Sequence, residues 1–154
     1  MFDNGQFPEA RPEQRTGTAP TSAQRTLQAG AVYFTLVFGA GFVLGLIRVL
    51  WLVPRIGERA AEIAEQPVML VVILFAARGT IARLLPEGSV AQCVACGLAA
   101  LALLLTCEVA VVLALRDLTL PQYLAQRDPV AGGIYLIMLA LFAAMPALLR
   151  IRAR

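Results

Sequence analysis

Four charged side chains fall inside, or at the edge of, long apolar runs: Arg48, Glu65, Arg78 and Glu108. A carboxylate within a membrane helix costs about 2.5–3.5 kcal/mol on insertion scales, so it normally faces a partner or a water-filled cavity. Arginine is the natural partner here, because all 13 basic residues are arginine and the chain has no histidine. The spacing predicts a buried charged cluster of Arg48, Arg78 and Glu108, closed by Glu65. Two chemistries follow from such a cluster. Closed and fully paired, it is a staple that ties the first helix to the third. Open to water, Glu108 and its arginines line a path for a proton or a solute.

Depth along the helices supports the cluster at about 1.5 Å per residue. Arg48 lies six positions before Pro54, roughly 9 Å in, and Glu108 lies eight before Arg116, roughly 12 Å in. Arg78 lies eleven after Pro67, roughly 16 Å in if the second crossing begins at that proline. A register beginning near Ala60 instead submerges Glu62 and Glu65 at one edge and lets Arg78 reach the other.

Cys93-Val94-Ala95-Cys96 is a C-x-x-C, and in this it resembles four-helix membrane oxidoreductases that pass electrons to quinone. That resemblance implies a thiol relay through Cys93 and Cys96. The relay needs a second cysteine pair, however, and only Cys107 remains, about 16 Å further along the same helix. Packing as a small apolar side chain is the reading the residues favour. The lack of histidine removes the commonest general base and metal ligand. There is no H-E-x-x-H, Walker loop, dinucleotide fingerprint or G-x-S-x-G. No catalytic residue, cofactor site or metal site is expected, and the chain reads as non-enzymatic.

The elements that position these residues are apolar rods. Of 154 residues 59% are hydrophobic and 15% charged, against about 45–50% and about 25% in soluble domains. The expected fold is all-α and integral to a membrane: four transmembrane helices in a bundle, over about 29–53, 67–85, 90–115 and 130–149. Short interfacial helical segments are expected after helix 1 and before helix 4. The first, over 54–66, carries Glu58, Glu62 and Glu65 on one face, with water the expected surroundings and Arg48 the alternative. Residues 1–28 read as a disordered polar tail whose last residues, from Ser22, begin the first helix. Residues 150–154 form a basic C-terminal tail.

Packing surfaces are signalled by small residues. Gly41 and Gly45 make a G-x-x-x-G on the first helix, and Ala140 and Ala144 lie on the fourth. Four crossings put both termini on one side. Placing them in the cytoplasm puts seven arginines inside (Arg11, Arg15, Arg25, Arg83, Arg150, Arg152, Arg154) against four outside, in line with the positive-inside rule. The expected address is a plasma membrane, as in a bacterial inner membrane. The partners are the lipid bilayer and either further copies or another membrane protein. Without a basic stripe interleaved with aromatics, nucleic acid is not a partner.

Function is expected to be that of an accessory or scaffold subunit held by helix packing and the Arg/Glu cluster. The alternative is a small oligomeric transporter or channel using Glu108 with Arg48 and Arg78. It is similar to small multidrug-resistance-type transporters in helix count and in having a membrane glutamate, although theirs is on the first helix and Glu108 is on the third.

Overall fold

The computed structural model describes residues 21–115 and 129–153, all-helical apart from short joints, with no strand among them. The helices are α1 (Ser22–Ile47), α2 (Val53–Ile56), α3 (Glu58–Leu84), α4 (Val90–Leu115) and α5 (Pro129–Arg152), with a π-helical segment, Arg48–Leu52, between α1 and α2. Four helical stretches are long and apolar enough to cross a membrane: Ser22–Ile56, Glu58–Leu84, Val90–Val111 and Gly132–Arg152.

Local chemistry sets the boundaries. Thr21 and Gln24 cap α1 reciprocally, each side chain bonding the other's backbone N–H, which satisfies two donors that the first turn leaves open. Ser89 and Gln92 do the same for α4. Pro54 has no N–H to give the carbonyl four residues back, and its ring crowds that carbonyl. The helix accommodates this by widening. The Val53 N–H bonds the Arg48 carbonyl, five residues back, and the Arg55 guanidinium donates to the Trp51 carbonyl at 2.9 Å while lying over its indole ring. Gly57, at φ 80°, then turns the chain into α3, a conformation that side chains with a Cβ avoid.

The stretch expected as an interfacial helix is therefore divided. Only the four residues of α2 stand apart, and from Glu58 onward it is the first part of α3, which runs on through Pro67. The interfacial segment expected before the last helix lies between 116 and 128, outside the described residues, as do positions 1–20 of the expected tail.

Packing contacts run α1 to α3, α3 to α5, α5 to α4 and α4 to α1. The four long helices thus form a closed square, with α3 and α4 on one diagonal although a short turn (85–89) joins them. We call the end holding that turn, the start of α1 and the end of α5 proximal, and the other end distal. Burial is concentrated proximally. Tyr33, Val37, Ile73, Ala77, Ala100 and Phe142 form the main core, and Cys93 and Cys96 sit in two smaller clusters beside it.

One contact spans the diagonal between α1 and α5. The Tyr33 and Phe142 rings stack at 4.7 Å, and the Tyr33 hydroxyl donates to the Phe142 carbonyl at 2.9 Å. That carbonyl is available because its helical donor would come from residue 146, which is proline. Tyr33 thus satisfies a buried acceptor that the helix cannot. Tyr33→Phe is expected to cost about 1–3 kcal/mol, the range for a buried group left unpaired. In a Pro146→Ala background, where a backbone N–H returns, most of that cost should vanish. Reversible unfolding of the four chains in bicelles checks this; equal costs in both backgrounds would contradict the assignment.

Candidate functional site

Among the described residues, each of the two helical hairpins holds a side-chain polar pair involving a carboxylate. In the first, Arg48 Nε on the π segment lies 2.9 Å from Glu65 Oε2 on α3. Pro54 positions the arginine indirectly, since the π turn it imposes begins at Arg48. On α3, Ala61, Glu65, Met69, Val72, Ile73 and Ala76 share the inward stripe, so the continuous helix turns Glu65 inward with its buried neighbours. Of the two surroundings expected for the carboxylates of 54–66, Glu65 has the inward one, with its side chain 14% exposed.

In the second hairpin, Glu108 continues the α4 stripe of Ala100, Leu101 and Leu104 and accepts a hydrogen bond from the Tyr135 hydroxyl of α5. The staple that was expected between the first and third spans therefore joins the third and fourth, and a phenol takes the place of an arginine.

The four-residue cluster does not form. Gly30 of α1 lies against Cys96, Ala99 and Ala100 of α4, which fixes the relative height of these parallel helices. From there Glu108 is nine residues beyond Ala99, whereas Arg48 is eighteen beyond Gly30. At 1.5 Å per residue Glu108 stops about 13 Å short of Arg48. Depths counted inward from the distal ends of the two helices mislead, because those ends do not share a plane. By this register Leu115 stands near the height of Leu46, well below Pro54. Arg78 is further away still. It lies thirteen residues past Glu65 along α3, about 20 Å towards the proximal end, and its side chain is exposed.

The residues expected to pack are placed differently from one another. Gly41 meets the Met69 side chain at ordinary contact distance, and nothing lies within 4 Å of a Cβ built on Gly45. Ala140 and Ala144 are exposed. The close helix approaches are at Gly30 and at Gly97, where a Cβ would overlap the Ala143 carbonyl of α5. Cys93 and Cys96 are free thiols with no exposed surface. Cys93 packs with Ile81 and Ala147, and Cys96 with Ala29 and Leu85.

Tyr135 was not anticipated. Its signal is present in retrospect, since it falls on the α5 stripe shared by Met138, Phe142, Met145 and Leu149. Arg150 was expected only as part of a basic tail. Its Nε donates to the Gly88 carbonyl at 2.6 Å and so ties the end of α5 to the α3–α4 turn. Beside that turn is a cavity of about 270 Å³, lined among others by Ser22, Arg25, Glu87 and Gln92. No group of side chains suited to hold a metal occurs among the described residues.

Neither a protein-family model, nor a curated protein, nor a solved structure matches the chain.

Proposed function

We propose that the chain is a non-enzymatic multi-pass protein of the plasma membrane, with both termini cytoplasmic, serving as an accessory or scaffold subunit. It associates with further copies of itself, or with another membrane protein, through the distal half of α1. The observation that carries this is the placement of its glycines. Gly30 and Gly97 are occupied by neighbouring helices of the same chain, whereas Gly39 and Gly45 have nothing within 4 Å of a built Cβ. In lipid, small residues favour helix association because backbones can approach closely. A G-x-x-x-G whose second glycine is unused internally is therefore available to another helix. Support for a membrane setting comes from the four spans. Support for the orientation comes from Arg25, Arg83, Arg150 and Arg152 gathered proximally against a single described acid there, Glu87.

Single-molecule photobleaching in supported bilayers tests this reading. The native chain is expected to show multi-step bleaching, and Gly45→Ile to weaken association about tenfold, equivalent to losing ~1.4 kcal/mol of helix contact. Single steps at every surface density would contradict it.

One observation favours a second reading, a small transporter. Glu108 and Tyr135 lie on the inward stripes of α4 and α5, not on their outer faces, and an inward ionisable group is where such proteins bind a proton or solute. A proton-coupled flux in vesicles that disappears in Glu108→Gln supports transport. The scaffold reading expects no flux from the native chain.

A further inference from the structure

We infer that Arg78 is a binding site for the phosphate of an anionic phospholipid in the proximal leaflet. The inference rests on the membrane-spanning reading and on no other part of the proposed function. Arg78 lies within the span Glu58–Leu84, six residues from its proximal end, so its Cα is about 9 Å inside. Its side chain is exposed, on an outward strip with Val71 and Phe75, which are 51% and 68% exposed. No carboxylate pairs with it among the described residues.

A guanidinium at this depth on the outer face needs an anion or water that the described residues do not supply. Helical side chains leave the backbone tilted towards the N-terminus, which for α3 is the distal end, so Arg78 must bend back to reach the nearer interface. The next outward position in that direction is Ala82, also exposed, and its methyl leaves room for the long arginine chain to lie along the helix. What awaits it there is a phosphate layer. Arg25, Arg83 and Arg152 are exposed at the same end, and such a collar attracts anionic headgroups. Among the described residues this end is thus arginine-rich with Glu87 as its one acid, which suits a phosphodiester in place of a protein acid.

The test uses the full chain, delipidated in detergent and titrated with phosphatidylglycerol or phosphatidylcholine of the same acyl composition, read by native mass spectrometry. The native chain is expected to prefer the anionic lipid. Arg78→Gln should lose about fivefold of that preference, one arginine's share at a membrane surface, and Arg78→Lys should keep most of it. Millimolar inorganic phosphate should not compete. Equal binding of both lipids, a preference unchanged in Arg78→Gln, or displacement by free phosphate would each overturn the inference; the unchanged preference would point to a partner protein's carboxylate. Arg78 is exposed, so circular dichroism should show native helix content in both variants. Retention of the chain in membrane pellets after alkaline carbonate tests the membrane reading separately. A retained chain whose lipid preference ignores Arg78 overturns this inference alone.

Discussion

Gly97→Ala is expected to destabilise the bundle by about 3 kcal/mol, the upper part of the range for overpacking, even though alanine is the better helix former by about 1 kcal/mol. The added methyl would occupy the position of the Ala143 carbonyl. That group is backbone, so the two helices must part instead of a side chain moving aside. Parting them disturbs their neighbours too, because Phe142 and Ala147 of α5 belong to the buried clusters. The comparison is Gly39→Ala, where no atom lies within 4 Å of the new methyl. That change should be neutral or slightly stabilising. Steric-trap unfolding in bicelles measures both, and equal effects would show that α4 and α5 are not in backbone contact.

Glu65→Gln is expected to cost about 3 kcal/mol, the lower end of the range for breaking a buried ion pair. The loss should be local to the distal end. With its carboxylate gone, Arg48 keeps a charge that is 27% exposed and has no other described acid as a partner. Its least costly recourse is to swing outward, loosening the π turn that positions it. Hydrogen exchange should therefore rise over Arg48–Leu52 and the first turns of α3, while the amides around Tyr33 stay protected. Arg48→Gln in the Glu65→Gln chain should recover most of the loss, because replacing both members of a pair removes the stranded charge. Protection lost first at the proximal end would contradict this picture.

The four apolar spans were legible from composition, since nothing except runs of that length and hydropathy had to be recognised. Arg48 beside Glu65 was legible only as the alternative to a water-facing Glu65: the short connection brings the two within reach, but the sequence does not choose between those surroundings. Tyr135 was not legible. Pairing it with Glu108 requires the relative height of α4 and α5, which is set by how closely Gly97 lets them approach. In the sequence Gly45 carries the stronger packing signal, as half of a G-x-x-x-G with Gly41, whereas Gly97 is a single glycine in an apolar helix. Only the neighbouring helix decides that one is filled and the other open. The Phe142 acceptor was readable in principle from Pro146, four residues on, but its donor is 109 residues away in sequence and no local rule reaches it. The cluster of Arg48, Arg78 and Glu108 failed for a related reason. Counting residues from a proline or an arginine gives depth within one helix, whereas assembling a site needs depth across several.

The most direct test of the account is a pair of double-mutant cycles, Arg48→Ala with Glu65→Ala and Arg48→Ala with Glu108→Ala, measured by unfolding in the same bicelles. If each hairpin holds its own polar pair, the first cycle gives a coupling of about 1 kcal/mol or more and the second lies within about 0.5 kcal/mol of zero, as for residues more than 10 Å apart. A strong coupling between Arg48 and Glu108, with none between Arg48 and Glu65, would contradict it.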